Sequence, residues 1–284
     1  MDTSNETKWG RQMIEWRNLY RGLIMGASDV VPGVSGGTMA VLLGIYERFI
    51  DALNGIFTRE WKRHLAFLIP LGVGIVAAMV SLAKVINWAF ENYPNQILFL
   101  FLGLIAGVIP FLANKSNYKE TFSGIHYVIL IIAAALVGSM ALFGEGPAET
   151  PVITTYNMET YIKLFLSGWL ASSAMILPGI SGSFLLLLIG MYSTFTHALE
   201  NFVFEPLIPL GLGIVFGLLI MSKVLNYLFN KFYYQTYALV IGLVIGSIFV
   251  VYPGYESDLM LNIMSLICLI IGLLVAYGLG KIEY

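Results

Sequence analysis

Six long apolar segments run along this chain, separated by short polar stretches. They cover residues 66–90, 95–113, 124–143, 207–229, 234–250 and 259–280. An α-helix needs about 20 apolar residues to cross the hydrocarbon core of a bilayer, and these segments have close to that length. Two further apolar stretches, 22–55 and 162–199, are interrupted by proline and glycine. The pattern predicts an all-α polytopic membrane protein.

The chain also contains an internal repeat. A shift of 146 residues aligns 30–56 with 176–202 and gives 10 identities in 27 positions. A shift of 139 residues aligns 69–109 with 208–248 and gives 17 identities in 41. Shared hydrophobicity does not explain a register that matches proline, glycine, serine, lysine, asparagine and glutamine. The sequence is therefore a duplication of one structural unit.

Each copy is predicted to comprise one re-entrant helical hairpin and three transmembrane helices. The predicted organisation is an amphipathic N-terminal segment over 1–20, repeat 1 over 21–143, a polar linker over 144–157, and repeat 2 over 158–284. The hairpins are the interrupted stretches 22–55 and 162–199. Three spans is an odd number, so the second copy is expected to insert upside down. Inverted repeats with broken helices near the bilayer centre are typical of secondary transporters.

Lysine and arginine in the short loops predict the orientation. With re-entrant hairpins, one side collects Lys8, Arg11, Arg17, Arg21, Arg59, Lys62, Arg63, Lys115, Lys119, Lys231 and Lys281. The opposite side receives Glu91, Glu145, Glu149, Glu200, Glu205, Glu256 and Asp258, with Lys163 as the only loop cation. If the interrupted stretches crossed fully, Lys115 and Lys119 would leave the basic side. This separation favours re-entrant hairpins, cytoplasmic N- and C-termini and an extracytoplasmic linker.

The composition supports a membrane location and limits the chemistry. Charged residues make up 11% of the chain, against about 25% in soluble domains. The single cysteine, Cys268, excludes an intrachain disulfide. We expect no metal, cofactor or nucleic acid to bind. Membrane lipids are the expected surroundings, and a homo-oligomer is left open.

The hairpin tips carry the candidate chemistry. Pro32 and Gly33 in the first tip, like Pro178 and Gly179 in the second, are predicted to end the incoming half-helix. Ser35 and Ser181 are the predicted N-caps of the outgoing half-helices. Two helix N-termini meeting at the midplane would form an anion site. The predicted phosphate ligands are Ser35, Gly36, Gly37, Thr38, Ser181, Gly182 and Ser183.

Charged residues near the tips are further candidates. Arg48 is the predicted phosphate-binding cation, because arginine suits bidentate contacts with phosphate. A proton-coupling or polar-centre role is predicted for Asp29, Glu47, Lys84, Asn87, Lys223 and Asn226. Alternatives stay open for several of these: Asp29 as an internal partner of Arg48, Glu47 as a solvated residue, and the two lysines as snorkelling side chains.

The stretch from Gly26 to Glu47, which includes Pro-Gly-Val-Ser-Gly-Gly-Thr, resembles the bacterial polyprenyl-phosphate transporter family. The resemblance extends through the second tip, which reads Pro-Gly-Ile-Ser-Gly-Ser, and covers essentially the whole chain. It implies a plasma-membrane translocase without enzymatic activity. Such a protein returns undecaprenyl phosphate from the outer to the inner leaflet, and so recycles the lipid carrier for peptidoglycan and other envelope polymers.

Two other interpretations of the tips are open. Membrane-embedded undecaprenyl pyrophosphate phosphatases also use inverted re-entrant hairpins, with the tip Pro-Gly-x-Ser-Arg-Ser. Gly36 and Gly182 occupy the position of that arginine here, which removes the group that stabilises a leaving phosphate. A small-anion secondary transporter is the second alternative, because the tips alone do not distinguish a free phosphate from a lipid headgroup.

Overall fold

The computed structural model describes residues 15–29, 35–143 and 151–283, and every regular element in these ranges is helical. The helices are α1 (Arg17–Asp29), α2 (Gly36–Leu42), α3 (Tyr46–Gly55), α4 (Trp61–Asn92), α5 (Pro94–Lys115), α6 (Tyr118–Thr121), α7 (Gly124–Gly138), α8 (Met158–Ile176), α9 (Gly182–Ile189), α10 (Tyr192–Glu200), α11 (Phe204–Lys231), α12 (Tyr233–Val251) and α13 (Leu259–Glu283). A 3₁₀ turn, Ser139–Phe143, extends α7. Most of the predicted segment 1–20 and half of the predicted linker lie outside the described residues.

Six helices in the described part of the chain are long and apolar enough to cross a membrane. These are Trp61–Ser81, Pro94–Lys115, Gly124–Leu142, Phe204–Lys231, Tyr233–Val251 and Leu259–Lys281. Each overlaps one of the six spans expected from the sequence. A seventh is obtained if α9 and α10, which are bent by 114° at their junction, count as one broken span. The all-α, multi-pass membrane fold is confirmed.

The long helices pack in the same pairs in both halves of the chain. Helix α1 packs on α4 as α8 packs on α11, and α5 packs on α13 as α12 packs on α7. Glycines allow these close contacts: a Cβ on Gly22 would lie 2.1 Å from the Leu71 carbonyl oxygen, and one on Gly168 would lie 2.2 Å from that of Leu210. Gly22 and Gly168 are equivalent positions of the repeat. The two halves therefore build their helix interfaces in the same way.

The helical segment that follows each predicted tip is broken a second time. In the first half the break lies between α2 and α3, where Gly44 has φ 65°, and in the second it lies between α9 and α10, where Gly190 has φ 77°. Glycine adopts this left-handed conformation without the steric cost that a Cβ imposes. The sequence predicted one outgoing half-helix per hairpin, so the second break corrects that prediction.

The short helix α2 lies at the centre of the molecule. All seven of its residues are buried, whereas α7 and α13 expose large apolar side chains such as Ile131, Leu136, Leu266 and Leu274. An apolar outer surface of this kind suits contact with lipid rather than water. The described part of the first predicted tip, Ser35 to Thr38, is therefore buried within the protein.

The two ends of helix α5 contact different charged residues. At its start, the Gln96 amide donates to a carboxylate oxygen of Glu256 at 3.3 Å. At its other end, the Lys115 ammonium lies 3.1 Å from a carboxylate oxygen of Glu47. A helix of this length spans roughly 33 Å. Glu256 and Lys115, which the sequence assigns to opposite sides of the membrane, thus lie at opposite ends of the same helix.

Candidate functional site

The two predicted tips are in direct contact. The backbone N–H of Gly179 donates a hydrogen bond of 2.8 Å to the hydroxyl oxygen of Thr38. Thr38 is 1% exposed and so is Ser35 beside it. These residues are 141 positions apart in the chain. The fold therefore brings Thr38 of the first tip and Gly179 of the second together at one buried point.

In the first tip, the described residues make their hydrogen bonds around the start of α2. The Ser35 hydroxyl accepts from the Thr38 backbone N–H at 3.3 Å, as predicted for an N-cap, and lies 3.1 Å from the Thr38 hydroxyl. The carboxylate of Asp29, the last residue of α1, accepts from the Gly36 N–H at 2.6 Å. The other Asp29 oxygen is buried and has no hydrogen-bond partner among the described residues. A carboxyl group of the protein itself thus lies against this helix start.

The second tip has a different local structure. Helix α8 ends at Ile176, and Gly179 follows with φ 86°. A Cβ on Gly179 would lie 2.5 Å from the Leu243 carbonyl oxygen, so only glycine fits this turn. Ser181 holds the N-cap position of α9, but its side chain makes no capping hydrogen bond. Its hydroxyl lies 2.7 Å from that of Ser183 instead.

Two backbone amide groups at the tips already have hydrogen-bond partners within the protein. The Gly36 N–H is taken by Asp29 and the Gly179 N–H by Thr38. A buried N–H without a partner costs free energy comparable to a lost hydrogen bond, so a fold supplies internal partners where no ligand is present. The tips can offer these donors to another anion only by exchanging partners.

Glycines in both tips lie close to backbone carbonyl groups of α8. A Cβ on Gly37 would lie 2.9 Å from the Ile176 carbonyl oxygen. The same carbonyl accepts a 3.0 Å hydrogen bond from the hydroxyl of Tyr46 at the start of α3. Gly182 similarly faces the Ala171 carbonyl oxygen. The end of α8 is therefore held by groups from the first half on two sides.

A second polar cluster lies beside the tips, and we name it the Glu47 cluster: Glu47 of α3, Lys115 of α5 and Tyr237 of α12. The Tyr237 hydroxyl donates to the Glu47 carboxylate, and the Lys115 ammonium pairs with it. These three side chains and Tyr46 line one small cavity. Glu47 was a candidate from the sequence, whereas no role was predicted for Tyr237, and Lys115 served only to predict the orientation.

The structure does not bring Arg48 to the tips. Arg48 pairs with Glu15, and its guanidinium carbon lies 4.9 Å from the centre of the Phe67 ring. Its side chain is half exposed, so it is not the partner of Asp29 in this conformation. Its role in phosphate binding stays a prediction.

Two Lys–Asn pairs at equivalent positions of the repeat were predicted to lie within the membrane, and the structure describes the side chains of only one pair. Lys223 is exposed on α11, and the Asn226 side-chain oxygen accepts from the Asn230 amide. The side chains of Lys84 and Asn87, and the whole of Pro32 and Gly33, lie outside the described residues. Functional roles for these six positions stay predictions.

Comparison with known proteins places this chain in a family. The profile of the undecaprenyl phosphate translocase-like family matches residues 25–266. A polyprenyl-phosphate transporter of Staphylococcus aureus is 41% identical over 277 residues, which cover 95% of this chain and 98% of the relative. A polyprenyl-phosphate transporter of Vibrio cholerae is 35% identical over 262 residues, covering 87% of this chain and 81% of the relative. No solved structure gives a significant match. The chain belongs to the undecaprenyl phosphate translocase-like family.

Proposed function

We propose that this protein moves undecaprenyl phosphate across the bacterial cytoplasmic membrane without chemical change, from the outer to the inner leaflet. The lipid carrier would thereby return for cell-envelope polymer synthesis. The observation that carries the proposal is the buried contact between the two tips, made by Thr38 and Gly179. A membrane interior tolerates irregular backbone only where protein or a polar cavity surrounds it. The names of both relatives agree with this substrate.

The phosphate would bind by exchanging partners with the protein. In the described conformation Asp29 occupies the Gly36 N–H, where an anion is favoured by a helix start. A lipid phosphate that displaces this carboxylate gains the N–H donors at Gly36 and Gly37 and the hydroxyls of Ser35 and Thr38. The second tip would add Ser181, Gly182 and Ser183. Each hydrogen bond to a charged group contributes about 1.5–3 kcal/mol, which offsets the cost of desolvating the phosphate.

The proposed architecture is a pair of inverted repeats, each a re-entrant hairpin followed by three spans, with both termini cytoplasmic. The equivalent helix pairs in the two halves support it. So does the separation of Glu256 and Lys115 along α5. In such a transporter, rocking of one repeat against the other exposes a fixed central site to each side in turn. The isoprenoid tail would stay in the lipid while the headgroup crosses between the tips.

A transport assay tests the proposal. The purified protein is reconstituted into liposomes that contain undecaprenyl phosphate, and the fraction of lipid accessible in each leaflet is followed over time. We expect equilibration at least tenfold faster than in protein-free liposomes. The same liposomes are assayed for uptake of labelled inorganic phosphate and for phosphate release from undecaprenyl pyrophosphate. Lipid movement no faster than in empty liposomes would refute the proposal, and either of the other activities alone would replace it.

A further inference from the structure

The Glu47 cluster links the two halves of the chain but has no equivalent in the repeat. It joins α3 of the first half to α12 of the second half and to the end of α5. The repeat does not duplicate it, because Glu47 aligns with Ser193 and Tyr237 aligns with Leu98. A structural ion pair needed by each unit would be expected in both copies. This cluster therefore serves one end of the molecule only.

The cluster lies next to the tips. Tyr46, the neighbour of Glu47, donates to the carbonyl of Ile176, three residues before Gly179. Tyr46, Glu47, Lys115 and Tyr237 line the same cavity. Two edge-to-face contacts of Phe229, with Tyr46 at 5.9 Å and with Tyr237 at 5.8 Å, form an aromatic wall along it. A continuous row of groups thus leads from the tips to the Lys115 end of α5.

The bonding in the cluster permits an exchange of anions. Glu47 has two partners, the Tyr237 hydroxyl and the Lys115 ammonium. The side chains of Lys115 and Glu47 are 32% and 35% exposed, so water weakens their attraction and the pair can open. If Lys115 turns to a phosphate, Glu47 keeps the hydrogen bond from Tyr237. Neither charged group is then left without a partner.

We infer that Lys115 is a second phosphate-binding residue, which exchanges its ion pair with Glu47 for the headgroup of a lipid phosphate as the headgroup passes between the tips and the basic end of the molecule. This inference rests on the proposed function and specifies its route. Tyr237 is a positioning residue, because it holds Glu47 in place when Lys115 leaves. The ligand class is a phosphate monoester on a lipid.

The test uses the full chain in liposomes with undecaprenyl phosphate, and it measures the half-saturating lipid concentration and the maximal rate separately. We expect Lys115→Gln to raise the half-saturating concentration at least fivefold and Lys115→Arg to restore most of the affinity. Glu47→Gln removes the competing anion and is expected to lower the half-saturating concentration about threefold. Lys119→Gln on α6, an exposed lysine four residues further on, is the matched control and should leave both quantities within twofold of wild type.

Several outcomes would overturn the inference. One is a half-saturating concentration for Lys115→Gln equal to that of wild type, whatever happens to its maximal rate, because a purely structural lysine would change only the amount of active protein. If Lys115→Gln does not fold, Lys115→Arg and Glu47→Gln decide: unchanged affinity in Glu47→Gln refutes the exchange. A wild-type protein that moves no lipid at all would instead refute the proposed function.

Discussion

Thr38 links the two tips through one side-chain oxygen. Replacing Thr38 by valine keeps the shape but leaves the buried N–H of Gly179 without its acceptor. An unsatisfied buried donor costs about 1–3 kcal/mol. We therefore expect Thr38→Val to lower the thermal unfolding midpoint of the detergent-solubilised protein by several degrees and to slow lipid transport.

Thr236→Val is the matched control for this change. Thr236 is also buried, at 2% exposure, but its hydroxyl donates to the Phe232 carbonyl, which already accepts from the Thr236 backbone N–H. Its removal leaves no donor unpaired. Equal unfolding midpoints for the two valine variants would show that the contact between the tips contributes nothing to stability.

The two N-cap serines are expected to differ in their contribution to stability. The Ser35 hydroxyl caps α2, whereas the Ser181 side chain makes no capping hydrogen bond to α9. Loss of a capping hydroxyl costs about 1 kcal/mol. Ser35→Ala should therefore lower the unfolding midpoint more than Ser181→Ala does, in parallel melts of the two variants. A larger loss in Ser181→Ala would contradict the assignment of the cap.

Short sequence patterns were enough to select the residues of the tips as candidates. They carry no information on which distant residues the charged side chains contact. Pro-Gly followed by Ser two residues later is a pattern with a mechanism, and it led to Ser35. Glu47 meets Tyr237 across 190 residues of chain, and a tyrosine in an apolar helix gives no local sign of such a contact. Arg48 was expected at the tips, but its guanidinium pairs with Glu15 instead.

Within each half, the first of the three spans contacts its neighbour through one glycine, and a second glycine two residues earlier faces away from the neighbour. A Cβ on Gly74 would lie 2.2 Å from the Leu19 carbonyl oxygen, and one on Gly213 would lie 2.0 Å from that of Phe165. Two residues earlier in each helix, Gly72 and Gly211 have no heavy atom within 4 Å of an added Cβ. The same alternation in both halves permits a matched experiment.

Alanine at the inward glycines should separate helices that now touch. We expect Gly74→Ala and Gly213→Ala to lower the unfolding midpoint, because the backbone of the neighbouring helix has to move. Gly72→Ala and Gly211→Ala should leave it unchanged or raise it, since alanine favours a helix over glycine by about 1 kcal/mol. Melting curves of the four variants give the comparison. A loss of similar size at outward and inward positions would argue against this packing.

The spans were predictable from the sequence because their length and apolar content are set by the bilayer. The break in each outgoing arm was missed, although Gly44 and Gly190 are identical in the repeat alignment. A glycine inside an apolar run is compatible with a continuous helix, so its left-handed conformation becomes evident only from the backbone. The pairing of α5 with α13 and of α7 with α12 crosses between the two halves, and hydropathy carries no information on such contacts.

At the scale of the whole molecule, the proposed inversion of the two repeats predicts that equivalent loops face opposite sides of the membrane. Arg59 lies between α3 and α4, and Asn201 lies between α10 and α11; both are exposed.

The single native cysteine allows site-specific labelling after Cys268→Ser. In intact cells, a membrane-impermeant thiol reagent should label Asn201→Cys and should not label Arg59→Cys until the membrane is opened. Lys119→Cys is the control for the cytoplasmic side and Asp258→Cys for the outer side. Labelling of both loop cysteines from the same side would mean parallel repeats and would contradict the proposed inverted architecture.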